Sequence, residues 1–241
     1  NFKYVQHNNN KLKFIVPNTL NDYRINTFSS KEPETLDWID KFSKDKVFWD
    51  VGANIGLYSC YAAKTRNCKV IAFEPSVFNL ELLSRNISAN KLEDLISIFS
   101  LPLTNINGIS TMTMSTTEWG GALSTFGQSY GQDGLPLQKT FSYKSFGITM
   151  DNFAQIFNLP MPKYLKMDVD GIEHLILGNS KTVLKKVDSV LIELNDDFLE
   201  QSEGCKKLLS EAGLKFMEKW PTAKLACTQL NNSYNQIWVR N

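Results

Sequence analysis

Three stretches of this 241-residue chain gather the residue types that do chemistry. VFWDVGANIGLYSCY, residues 47–61, is an apolar run that ends in Asp50, turns through Gly52 and Gly56 and continues as a helix. KVIAFEP, residues 69–75, ends in Glu74, 22 residues after Gly52. KYLKMDVDGIEH, residues 163–174, concentrates Lys166, Asp168, Asp170, Glu173 and His174. A strand that turns through glycine into a helix, beside a strand tipped by an acid, holds a nucleoside outside the carboxyl ends of a parallel sheet. In that reading Gly52 makes the tight turn and Gly56 lets the helix approach the sheet. Glu74 accepts the two ribose hydroxyls.

The dinucleotide fingerprint needs a second glycine where this chain has Asn54, because a side chain there crowds the path of a pyrophosphate. That spacing argues for a nucleoside without phosphates, and Asp50 suits a cationic group such as an ammonium. S-adenosylmethionine unites adenosine, an amino-acid ammonium and no phosphate. The rival readings are an NAD-dependent oxidoreductase on a similar sheet and a cofactor-binding protein without catalysis. The expected cofactor-binding residues are Asp50, Gly52, Ala53, Asn54, Gly56, Tyr58 and Ser59 in the first stretch. Glu74, Pro75, Ser76 and Asn79 follow from the second, with Leu103 and Asp168 beyond it.

DVGANIG followed by FEP resembles motif I and the ribose acid of class I methyltransferases, and more narrowly the chain looks like the FkbM family. The resemblance rests on FSSKEPETLDWIDKF (28–42), VFWDVGANIGLYS (47–59), VIAFEPSVFNLELLSRNISAN (70–90), ITMDNF (148–153), YLKMDVDGIEHLILGN (164–179) and VLIEL (190–194), which span most of the chain. Asp170 stands where the family more often has Glu. The resemblance implies an S-adenosylmethionine-dependent methyltransferase, in many members an O-methyltransferase of sugar, polysaccharide or secondary-metabolite biosynthesis. Glu32 and Glu34 recur in the family pattern, so the N-terminal piece is expected to cover the cofactor cleft.

Methyl transfer is an in-line displacement at a sulfonium methyl. It asks the protein for alignment, worth roughly 7–11 kcal/mol, and for proton removal, worth about 10²–10⁴-fold. Strand alternation puts Tyr164, Lys166 and Asp168 on one face and Leu165, Met167 and Val169 on the other. Lys166, a charge inside an apolar run, needs a carboxylate, and Asp168 is the nearest. Asp168, Lys166, Asp170 and Glu173 form the expected catalytic set. Glu193 ends SVLIEL at the next strand tip and can face an acceptor. No metal site is predicted, although Asp168, Glu193 and Asn195 offer hard oxygen ligands to a divalent cation. Trp119, in TEWGGALSTFGQ (117–128), is a platform for a sugar ring, and Arg24 a contact for an anionic group of the acceptor.

Alternation of strand and helix must position these groups. Strands are expected at 47–49, 69–73, 96–101, 163–169 and 189–194, with helices at 58–64, 80–90 and 203–212, and a closing hairpin from 214–219 and 236–240. That is an α/β fold: a doubly wound, mainly parallel seven-stranded, Rossmann-like sheet. Residues 1–45 read as an appendage of a strand hairpin and a short helix over 34–42, with 19–33 loop-like. Residues 46–241 read as the S-adenosylmethionine-binding domain. Within it 105–147 is a substrate-side excursion in which 110–114 and 140–143 pair as strands.

Composition narrows the rest. Lys plus Arg is 26 against 25 for Asp plus Glu, a balance that argues against a nucleic-acid partner and leaves a small-molecule or carbohydrate substrate. No apolar stretch reaches the length of a membrane span, no signal peptide or lipidation motif is read, and the expected location is the cytoplasm. The first residue is Asn1, which leaves room for an upstream piece. The cysteines, at 60, 68, 205 and 227, form no CxxC pair and are read as reduced thiols. Two histidines are too few for a multi-histidine zinc site. Nothing in the sequence fixes the oligomeric state.

Overall fold

The structure, a computed structural model, describes residues 1–222 and 232–240. β1 (Phe2–His7) and β2 (Asn10–Ile15) form an antiparallel hairpin. The next segment, expected as loop, is instead helix α1 (Thr19–Asn26). Its periodic apolar signal is weak, and what starts it is the Asn18 side chain, which accepts the Asn21 N–H at 2.9 Å. α2 (Pro33–Asp40) begins with a proline at its first position, where no backbone donor is needed.

β3 (Val47–Val51), α3 (Leu57–Arg66), β4 (Lys69–Phe73), α4 (Val77–Asn90) and β5 (Ile96–Phe99) follow the predicted rhythm. Ser76 caps α4 by accepting the Asn79 N–H. The excursion contains β6 (Gly108–Met114), β7 (Ser124–Phe126) and β8 (Phe141–Gly147), a small antiparallel sheet in the order β7-β6-β8. The β6–β8 pairing was legible, but β7, three residues among glycines, was not. Then come α5 (Met150–Ile156), β9 (Tyr164–Met167), α6 (Glu173–Leu177), α7 (Lys181–Leu184), β10 (Ser189–Asn195), α8 (Leu199–Glu211), β11 (Lys215–Pro221) and β12 (Ser233–Val239).

The main sheet runs β11-β12-β10-β9-β3-β4-β5. Its pairs are parallel except those made by β12, which lies antiparallel to both β10 and β11. Strand order reverses between β3 and β9, so the loops leaving these two strands diverge and open a crevice at their carboxyl ends. Side-chain alternation divides two cores. Trp49, Val51, Phe73, Leu165 and Met167 pack toward α5 and the small sheet, whereas Phe48, Val70, Ala72 and Leu191 pack toward α2 and α3. Leu12, Phe14, Ile25, Phe28, Leu36 and Ile39 share the second core. The Ile15 and Lys13 N–H groups donate to Asn86 and Asn90 of α4, each at 2.8 Å.

Cys60, Cys68 and Cys205 are buried free thiols, and Cys227 lies outside the described residues. Among the described residues no helix is long and apolar enough to cross a membrane.

Candidate active site

The crevice opens above β3, β4 and β9 and is roofed by the excursion and the N-terminal segment. Gly52, with φ +87°, makes the turn after β3, and Phe73 O accepts the N–H groups of Gly52 and Ala53 at 3.0 Å. A Cβ at Gly52 would lie 1.8 Å from Asp168 O, so the neighbouring strand as well as the turn demands glycine here. Glu74 follows β4 and is 5% exposed. Its Oε2 accepts the Asn54 N–H at 2.8 Å and its Oε1 the Ser76 N–H at 2.7 Å. Burial raises its pKa to about 7, against the pull of those backbone donors.

Asn54 and Asn79 bind the excursion down. Both side-chain amides donate to Gly121 O, at 2.8 and 3.0 Å, and Asn79 Oδ1 accepts the Gly120 N–H at 2.9 Å. Phe73, Leu101, Pro102, Leu103, Met112 and Phe126 make the adjoining wall apolar.

The other end of the crevice is charged. Lys166, 2% exposed, stands in register with Asp50 on the neighbouring strand, and its Nζ lies 2.9 Å from Asp168 Oδ2. Burial disfavours the Lys166 charge, but Asp168, Asp50 and Glu32 outweigh it and hold the ammonium firmly protonated. Burial likewise opposes the Asp168 charge, and the Lys166 ammonium overcomes it, so Asp168 titrates below the ordinary range. Glu193 is driven well above its ordinary value, by burial and then by the charges of Asp168 and Glu32. It accepts a hydrogen bond from Gln132 Nε2. Asp170 rises to about 7 through burial and the Asp168 charge, and its Oδ2 accepts the Ser124 N–H at 3.1 Å. Glu32 accepts from Tyr58 Oη at 2.8 Å and pairs with Lys31 at 2.6 Å.

Of the residues expected from sequence, Gly52, Ala53, Asn54, Tyr58, Glu74, Pro75, Asn79, Leu103, Lys166, Asp168 and Asp170 line the crevice, as do Glu193 and Arg24. Others are placed elsewhere. Asp50 lies behind Lys166 and accepts from Ser59 Oγ at 2.6 Å, so both are strand-to-helix ties and Asp50 is not presented to a ligand ammonium. Gly56 gives room not to the sheet but to Leu83 of α4, whose Cδ1 would lie 2.4 Å from an added Cβ. Ser76 is spent capping α4.

Glu173 is buried, and its carboxylate accepts the Val169 and Gly171 N–H groups and the Gln201 amide; it braces the loop after β9 instead of facing the crevice. Trp119 points outward, is 40% exposed and donates to Glu81. Residues 121–126 of the same loop form the wall instead. Asn195 accepts from Asp197 N, and among the described residues no group of three or more His, Cys, Asp or Glu side chains could hold a metal ion. The sequence reading passed over Lys31, Phe28 and Gln132. The charged pair Lys31-Glu32 just ahead of Pro33 was a usable signal for the first; Gln132, in a polar loop, carried none.

The crevice suits a phosphate-free nucleoside. Glu74 is a buried acceptor to which no cation among the described residues is bonded, so ligand hydroxyls would add donors to it. Asn54, at φ +50°, spans from Glu74 to Gly121, its N–H donating to the first and its side-chain amide to the second.

Comparison with known proteins gives the same direction. A family model described as the methyltransferase FkbM domain matches residues 50–216. The hexuronic acid methyltransferase AglP of Haloferax volcanii is 25% identical over 202 residues, 84% of this chain and 77% of that protein. Protein arginine N-methyltransferase 2 of Dictyostelium discoideum is 27% identical over 170 residues, but this match covers 59% of this chain and 33% of that one. Among solved structures, putative transferase PH0793 of Pyrococcus horikoshii superposes with a TM-score of 0.53 at 14% identity, over 98% of this chain and 70% of that one. Precorrin-6y C5,15-methyltransferase of Geobacter metallireducens gives 0.52 at 13% identity, over 87% of each. The structural likenesses establish a class I, Rossmann-like methyltransferase fold, and the family match, over more than half the chain, establishes that this protein belongs to the FkbM methyltransferases.

Proposed function

We propose that the protein moves the methyl group of S-adenosylmethionine to a hydroxyl of a sugar or glycoconjugate. The observation that carries this reading is the juxtaposition, in one crevice, of the Glu74 nucleoside end with the Asp168, Lys166 and Glu193 end. The 25% identity to a hexuronic acid methyltransferase supports a sugar acceptor.

Gly52, Ala53, Asn54, Glu74, Pro75, Asn79 and Leu103 would hold the nucleoside. Bound there, S-adenosylmethionine supplies an electrophilic methyl on a sulfonium. The protein's part is alignment and proton management. Asp168, kept ionised by Lys166, accepts a hydrogen bond from the acceptor hydroxyl and takes its proton as the oxygen is methylated. Glu193, with its acid form favoured, hydrogen-bonds to Asp168 and keeps the pair in place. Residues 1–45 serve as a cap, through Arg24, Phe28, Lys31 and Glu32.

The test is mass spectrometry of sugar, uronic acid and peptide acceptors incubated with protein and S-adenosylmethionine. A gain of one methylene in a sugar, placed on oxygen by fragmentation, is the expected result. Gain only in an arginine peptide would overturn the sugar assignment.

A further inference from the structure

Among the described residues three basic side chains line the crevice, and two already hold a carboxylate: Lys166 with Asp168 and Lys31 with Glu32. The third, Arg24 of α1, makes no ion pair among the described residues, and segment 223–231 contains no Asp or Glu. Its Nε donates to Gly120 O at 2.9 Å. That bond fixes the plane of the guanidinium while the Nη1 and Nη2 edge has no protein acceptor among the described residues. The Arg24 charge also acts on Lys31, so two cationic groups are close together on this wall. A half-buried, oriented guanidinium beside a second cation is matched by a planar anion, and the free end-on fork fits the two oxygens of a carboxylate.

We infer that Arg24 forms a carboxylate-binding subsite of the crevice. The inference rests on the nucleoside-donor reading above and deepens it. Two ligands can bring the carboxylate: the amino-acid end of the donor, or a uronic acid acceptor.

Paired ligands separate them. S-adenosylhomocysteine and 5′-methylthioadenosine share the nucleoside, but only the first has a carboxylate. Glucuronate and glucose differ in the same way and are titrated into protein saturated with S-adenosylhomocysteine. Calorimetry is run on the unsubstituted protein, Arg24→Gln and Arg24→Lys. Loss of a charge-assisted bond predicts at least about tenfold weaker binding of one carboxylate ligand in Arg24→Gln, its partner changing less than about twofold. Arg24→Lys, which keeps the charge without the fork, should recover part of the loss.

Selective weakening of S-adenosylhomocysteine assigns the subsite to the donor; selective weakening of glucuronate assigns it to the acceptor. Constants that all stay unchanged would overturn the inference. So would equal weakening of both members of each pair, the signature of Arg24 as a mere tether for Gly120. If the unsubstituted protein bound neither nucleoside, the donor reading would fall and the subsite with it.

Discussion

Glu74 and Asp168 are carboxylates at the tips of β4 and β9, the strands on either side of β3, and their surroundings drive them in opposite directions. Glu74 is buried, and burial outweighs the backbone donors of Ser76 and Asn54 and the Asn79 side chain, raising it to about 7. Asp168 has the Lys166 ammonium 2.9 Å away, which reverses the effect of burial. Glu74 therefore gains most from ligand hydroxyls, and Glu74→Ala should weaken S-adenosylhomocysteine binding at least about tenfold by calorimetry, the scale of a lost bond to a charged group. Unchanged affinity would remove the ribose assignment.

Asp168→Asn keeps the shape but not the charge, and should lower kcat about 10²–10⁴-fold with donor affinity nearly intact. Full turnover would take Asp168 out of the chemistry. The Lys166–Asp168 pairing was legible because a lysine in an apolar strand must find an anion. Glu173 was misread because the loop after β9 folds its Val169 and Gly171 N–H groups back onto the carboxylate, and Gln201 of α8, which no local spacing displays, completes the set.

At the scale of elements, the chain's rhythm was readable wherever apolar runs alternate, as at β3, β4, β9 and β10. It failed where side-chain caps, not periodicity, decide. α1 is started by Asn18, and the loop at 118–121 is shaped by Asn54, Asn79 and Arg24 reaching it from three different elements. Trp119 was expected inside because aromatic residues suit sugars, yet the backbone that flanks it is what those polar side chains hold, and the ring is left outside. Asn79 makes two of these bonds, so Asn79→Ala should free the loop. Amide exchange across residues 119–122 is expected to rise, and S-adenosylhomocysteine to bind more weakly while α4 exchange stays as it was. Unaltered exchange in that loop would show that Asn54 and Arg24 hold it without Asn79.

Across the whole molecule, one sheet with a core on each face accounts for the architecture, and the sequence displayed it because those cores demand long-range alternation of apolar residues. The crevice is where that demand is suspended, and several acids are placed there at a cost. Glu74 and Asp170 both titrate near 7 in the folded protein, against 4.5 and 3.8 ordinarily. An acid whose pKa is raised by folding binds more protons in the native state, so its contribution favours the native state most below its unfolded pKa and is lost as pH climbs through about 7. Glu193 acts in the same sense. Asp168 and Glu32, held low, act in the opposite sense: their stabilising contribution is present above the ordinary carboxylate range and is lost only as pH falls below it.

His174, pushed below 6.5 by burial, opposes the trend in mildly acidic solution, but it cancels when two variants are compared. The ligand-free protein should therefore lose thermal stability between about pH 5 and 8, relative to a Glu74→Gln, Asp170→Asn variant that cannot titrate at these positions. The gap should be of order 1–3 kcal/mol per group, the lower end for the partly exposed Asp170. S-adenosylhomocysteine should reduce the slope, because ribose hydroxyls stabilise the ionised Glu74 that folding alone disfavours. Parallel curves for the two proteins over that range would mean that neither acid is raised, and that the crevice does not isolate them from water.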